Sequence, residues 1–149
     1  MESLMRGKCL CGSVEFELVG AVPKLYQCHC SLCRKQGGSS SNTATIVSAE
    51  SLRWVCGKEH ISSWIKDTGF RSDFCSICGS PVPNPLQNRP YYWVPVGLLE
   101  GDPQREIVAH VFLGSKASWA AVSPHGMHYE TMPELSEFMA LLHGGGNAE

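Results

Sequence analysis

No stretch of this sequence concentrates positive charge. The 149 residues carry 12 Lys and Arg against 14 Asp and Glu, for a formal charge of -2 with His neutral. Without a Lys/Arg run there is no basic face for a polyanion, so no nucleic-acid partner is expected. No run approaches the ~20 apolar residues of a membrane-spanning helix, so no membrane association is expected either. The opening residues Met1-Glu2-Ser3-Leu4-Met5-Arg6-Gly7 lack the apolar core of a secretory leader. A cytoplasmic address is the default that follows. Internal repeats, low-complexity tracts and a domain linker are all missing too. The expectation is one domain over 1–149 with a flexible tail at about 144–149, large enough to bury a core at 43% hydrophobic content.

What the sequence does have is eight cysteines. In a secreted chain they would imply disulfides in one of about 105 pairings. In a reducing compartment, cysteines clustered at short spacings are metal ligands far more often. Cys9-Leu10-Cys11-Gly12 and Cys75-Ser76-Ile77-Cys78-Gly79 are two such groups. Residues two apart on a strand share a face, so Cys9 and Cys11 can reach one ion. The two-residue gap of Cys75 and Cys78 is that of a zinc knuckle, with Gly79 free to take a positive φ. Together they supply the four thiolates of a structural zinc, although spacing alone permits other combinations.

Cys28-His29-Cys30-Ser31-Leu32-Cys33 reads differently. It places three cysteines in one short loop with no obvious fourth partner, the pattern of a zinc with an open position. A closed site with His29 or Cys56 as fourth ligand remains an alternative, as does an oxidised or metal-free cluster. Zinc would keep a thiol deprotonated where a free thiol, with a pKa near ~8.5, is only roughly 3% thiolate at neutral pH.

The chain is mostly β. Val14, Phe16 and Leu18 alternate with Ser13, Glu15 and Glu17, and Thr43–Val47, Leu52–Val55, Ile61–Ile65, Tyr91–Val96 and Ile107–Leu113 are rich in β-branched and aromatic residues. Pro95 suggests an edge position for its strand. Pro81 to Pro85 reads as a stiff loop. One helix is expected, where Leu135, Phe138, Met139 and Leu142 form an apolar face. Thr131 and Glu134 have capping-box spacing, and Gly144 can close the end.

With these groups in view, the chain resembles the glutathione-dependent formaldehyde-activating (Gfa) family, which also contains centromere protein V. The resemblance rests on Gly7 to Gly12, Cys28 to Arg34, Arg71 to Gly79, His110 to Lys116 and Trp119. It implies a mainly β, β-tent (Mss-four-like) fold of several small curled antiparallel sheets with zinc knuckles and a C-terminal helix. It implies two zinc ions per chain, a structural one on Cys9, Cys11, Cys75 and Cys78 and a catalytic one on Cys28, Cys30 and Cys33. The implied activity is that of a carbon–sulfur lyase acting on a thiol adduct, joining glutathione and formaldehyde into S-hydroxymethylglutathione. A non-catalytic, zinc-stabilised protein-interaction module is the rival.

The remaining polar residues divide between substrate contacts and bystanders. Arg34 and Arg71 are candidate clamps for substrate carboxylates, Lys35 reads as solvated surface, and His29 as a pocket-wall residue touching substrate. Cys56 reads as a buried bystander and His110 as a satisfied strand histidine, and His125 and His128 sit in a loop able to line a pocket. Oligomeric state and a general base are not legible.

Overall fold

The structure is a computed structural model that describes residues 3–144. Apart from Gly144, the expected flexible tail lies outside the described residues. In chain order the elements are β1 (Leu4–Lys8), β2 (Glu15–Val19), β3 (Leu25–Cys28), α1 (Ser31–Gly37), β4 (Asn42–Ser48), β5 (Leu52–Cys56), β6 (Ile61–Ile65), β7 (Arg71–Cys75), β8 (Asn84–Pro85), β9 (Tyr91–Pro95), β10 (Ile107–Val111), β11 (Met127–His128) and α2 (Leu135–His143). The fold is mainly β, as expected, with small sheets and a C-terminal helix. The chain forms two compact units, one from residues up to Val22 together with Ile46–Gln104, the other from Pro23–Thr45 together with residues from Arg105 on. Each unit is assembled from separated stretches, and one crossing falls inside β4, so the sequence contains no linker to find.

In the first unit, β2 pairs antiparallel with β1 on one side and β5 on the other. The alternation in β2 is the reason: Phe16 and Leu18 are buried while Glu15 and Glu17 face outward. Phe16 meets Trp54 edge to face at 6.1 Å. With Val22, Val47, Leu52, Val94 and Leu99 they form the core of this unit, each large side chain contributing about 1.5–3 kcal/mol by burial. On the outer face Glu17 lies between Arg6 at 3.6 Å and Arg53 at 3.1 Å. Antiparallel hairpins β6–β7 and β8–β9 complete the unit. The proline-rich loop expected at 81–85 contributes the short strand β8. Pro95 is the last residue of β9, where a residue without an N–H closes the strand.

In the second unit the strands run β11-β10-β3-β4. β10 lies parallel to both β3 and β11, while β3 and β4 are antiparallel. This mixed pairing inside an otherwise antiparallel fold was not legible in strand patterns alone. β10 stops at Val111 instead of running to Leu113, because Phe112 turns into the left-handed region at φ 58. On α2, Phe138 and Leu142 are buried, and Phe138 stacks edge to face on Tyr26 at 4.7 Å. The capping box does not form. The Thr131 carbonyl accepts from Phe112 N–H, and Glu134 stands at the N-cap without a side-chain bond.

Candidate metal centres

The first cysteine group lies wholly in the first unit. Cys9 follows β1 and Cys75 ends β7, so two sheets deliver the two knuckles. Gly12 and Gly79 both take φ 83, the left-handed turn that lets each knuckle fold back on its own thiols. The Val14 N–H points at Cys9 Sγ at 3.3 Å. The ligand atoms of Cys9, Cys11, Cys75 and Cys78 all lie within 4.8 Å of one another. Cys9 and Cys11 sulfurs are 3.8 Å apart, and Cys11 and Cys75 are 3.9 Å apart. Four sulfurs at the Zn–S distance of about 2.3 Å in a tetrahedron have edges of about 3.8 Å, so the donor set and its spacing fit zinc. The pairing of the two knuckles, open at the level of spacing, is the one the fold builds.

The second group lies wholly in the second unit, and it is not a loop. Cys28 ends β3, Cys30 is the N-cap of α1, and Cys33 sits on the buried side of that helix. The Cys33 N–H donates to Cys30 Sγ at 3.3 Å, so one cysteine both caps the helix and faces the cluster. The helix closes at Gly38, whose φ of 67 and N–H bond to the Arg34 carbonyl complete the last turn. The sulfurs of Cys28, Cys30 and Cys33 lie within 4.8 Å of one another, and among the described residues no fourth ligand joins them. His29 is not in the set, and Cys56 belongs to the other unit, where it is exposed rather than buried as expected, with Sγ 3.8 Å from the Ser13 carbonyl. The three thiols titrate as one system. Hydrogen bonds from Cys28 and Cys33 draw Cys30 down to about 2, while that same sharing pushes Cys28 up to about 11 and raises Cys33.

The second unit also holds a group of histidines, one of them, His29, between Cys28 and Cys30 in the chain. His29 is 1% exposed and packs against His110, which is wholly buried on β10, with ring centres 6.3 Å apart. His110 Nε2 faces the His125 carbonyl at 3.0 Å; a carbonyl only accepts, so that nitrogen carries the proton. Burial pushes both imidazoles below their usual range, with His110 and then Lys116 adding their charges on His29. Both are therefore neutral at pH 7. Both His29 ring nitrogens and His110 Nδ1 are buried without a partner. His128, on β11, stacks on His110 at 5.0 Å.

The candidate clamps separate. Arg34, next to Cys33 on α1, donates from Nη1 to the Ser115 carbonyl at 3.2 Å, and its Nε is buried without a partner. Arg71 lies in the first unit and pairs through Nε with the nearly buried Asp73 at 2.8 Å. Lys35 is exposed, as expected of surface charge. Lys116, the last residue of the His110–Lys116 stretch that carries the family resemblance, is exposed after the turn at Leu113–Ser115.

The comparisons with known proteins bear on this architecture. A family model described as glutathione-dependent formaldehyde-activating enzyme matches residues 4–115, a span that contains both cysteine clusters. A Halomonas elongata protein provisionally named as such an enzyme is 33% identical over 86 residues, which is 53% of this chain and 54% of that protein. The match thus spans about half the length of that curated relative. The crystal structure of a Rhodobacter sphaeroides protein superimposes with a TM-score of 0.55 at 32% identity, covering 66% of this chain and 90% of that one.

Proposed function

Because the chain belongs to the glutathione-dependent formaldehyde-activating family, we propose that it is a zinc-dependent enzyme of the carbon–sulfur lyase type acting on a thiol adduct. Glutathione and formaldehyde are the proposed substrates. The single observation that carries the reading is the three-sulfur cluster of Cys28, Cys30 and Cys33 without a fourth protein ligand among the described residues. A purely structural role needs only the four-cysteine site, and a second set of three soft donors implies a position kept for something else. A zinc ion held there would supply an anchor that keeps a substrate thiol deprotonated.

The chain's own residues set the rest. Cys28, Cys30 and Cys33 fix the reaction at the N-terminal end of α1. In the forward direction the substrate sulfur bonds to the carbonyl carbon and the proton lost from the thiol ends on the carbonyl oxygen. The reverse breaks the same C–S bond. On this reading Cys9, Cys11, Cys75 and Cys78 hold a structural zinc, and the protein works in a reducing compartment such as the cytoplasm. Among the described residues no helix is long and apolar enough to cross a membrane.

Calorimetry with glutathione and S-methylglutathione tests the proposal. Glutathione is expected to bind at least about tenfold more tightly, with proton release that grows as pH falls below the thiol pKa. Equal affinities without proton release would refute it. One observation favours a scaffold as a second reading: Leu10 and Ile77, at the tips of the two knuckles, are 85% and 58% exposed. Binding of neither ligand would favour that role.

A further inference from the structure

Of the eight cysteines, four fall in one ligand group and three in the other, which leaves Cys56. It ends β5, is exposed to solvent, and its thiol donates to the Ser13 carbonyl at 3.8 Å. The same residue receives a ligand thiol from the first knuckle, with Cys11 Sγ 3.2 Å from Ser13 Oγ. Two exposed thiols, distant in sequence, thus touch one serine at the edge of the four-sulfur site.

The contact is held from both sides. Gly57 takes φ 84 and lies so close against the Ser13 carbonyl that a Cβ there would overlap it. The turn continues as His60 N–H donates to the Gly57 carbonyl at 2.8 Å, and Ser76 N–H, in the second knuckle, donates to the His60 carbonyl at 2.8 Å. Residues 56–60 therefore reach from one knuckle to the other. The turn requires its glycine. It gains nothing from an exposed free thiol, which is otherwise a liability on a protein surface.

Exposure decides which ligand an oxidant meets first. Cys9 and Cys75 are buried and Cys78 is half-buried, while Cys11 is open to solvent. Oxidisable cysteines combine thiolate character, access and a neighbouring thiol. A sulfur held as a metal ligand is a thiolate, so Cys11 beside Cys56 has all three.

We propose that Cys11 and Cys56 form an oxidation-sensitive pair, joined as a disulfide by hydrogen peroxide, which withdraws Cys11 from the four-cysteine site. The Cys11 thiolate attacks the peroxide, breaks its O–O bond and becomes a sulfenic acid, and the second oxygen leaves with a proton as water. The Cys56 sulfur then attacks the Cys11 sulfur. An S–S bond forms as the S–O bond breaks, and the departing hydroxide takes the Cys56 proton as a second water. Each sulfur gives up one electron and the peroxide gains both. Three ligand sulfurs remain, and because binding energy at a structural site is folding energy, the ion and the stability are lost together. The inference rests on the structural zinc proposed for Cys9, Cys11, Cys75 and Cys78, and needs no catalysis at the three-cysteine cluster.

The experiment exposes the full, two-zinc chain to hydrogen peroxide, caps the remaining thiols with an alkylating agent, and maps disulfides in unreduced peptides. The expected product joins Cys11 to Cys56, with loss of the second zinc and of circular dichroism. A thiol reductant with added zinc should restore both. Cys56→Ser should start from the same zinc content and melting temperature, since Cys56 is exposed and outside the ligand groups. After the same exposure its recovery should be about fivefold lower, because a sulfenic acid without a resolving thiol proceeds to sulfinic acid, which the reductant does not reverse. The mapping on the parent chain stands whatever the variant does. Cys56 still free once the second zinc has gone, or Cys11 joined to Cys9, Cys75 or Cys78 instead, would overturn the pair. So would equal recovery in Cys56→Ser, or oxidation confined to Cys28, Cys30 and Cys33.

Discussion

Cys30 has two duties, since its sulfur belongs to the three-thiol cluster and accepts the Cys33 N–H that caps α1. Serine offers a capping oxygen of comparable reach, so Cys30→Ser separates the duties. That variant is expected to keep its circular dichroism spectrum, hold one zinc instead of two, and lose activity. Cys78→Ser should behave oppositely. Metal-binding energy at a structural site is folding energy, so stability should fall by more than about 3 kcal/mol, read as soluble yield and melting temperature. If both variants melt alike, the distinction between a structural and an open site is wrong. At this scale the sequence was informative, because thiol chemistry and short spacings are local properties. Arg71 shows the limit. It was read as a substrate clamp, yet it and Asp73 lie two apart on β7 and so share a face. That pairing was available in the pattern and outweighs a role that needs a free guanidinium.

Among the elements, the strands with clear alternation or β-branched runs were legible, and β1, β3, β7, β8, β11 and α1 were not. β3 is only four residues, Leu25–Cys28, and β1 contains Arg6, Gly7 and Lys8, so neither shows a period. α1 did carry a signal: Leu32, Arg34, Lys35 and Gln36 are good helix formers, followed by Gly37 and Gly38. Three closely spaced cysteines suggested a loop, and that reading hid the helix. The parallel placement of β10 beside β3 depends on contacts distant in sequence, which no local pattern encodes. α2 was found through its apolar face, while its expected cap does not form because the helix begins at Leu135, leaving Glu134 rather than Thr131 at the N-cap. Its anchoring to β3 gives a prediction. Phe138→Ala removes a fully buried ring stacked on Tyr26, and should cost about 3–5 kcal/mol in chemical denaturation. A loss below about 1 kcal/mol would mean that α2 is not part of the cooperative core.

Across the whole molecule, each metal centre is completed within one unit, four cysteines in the first and three in the second. The two should therefore lose metal separately. A chelator is expected to remove one zinc early with no change in circular dichroism, because a three-sulfur site is weaker and its ion is open to attack. The second should leave only with unfolding, because its four ligands are also the joint between β1 and β7. A single release phase, or unfolding with the first ion, would argue against this division. The direct test of the open site is the sulfur count at zinc. Zinc-edge X-ray absorption of the two-zinc protein should give about 3.5 sulfurs per ion, the mean of four at one site and three at the other. Addition of glutathione should raise that count to about 4, as a substrate sulfur completes the set at Cys28, Cys30 and Cys33. A count that stays at its starting value with saturating glutathione would contradict the claim that this cluster exists to hold a thiol.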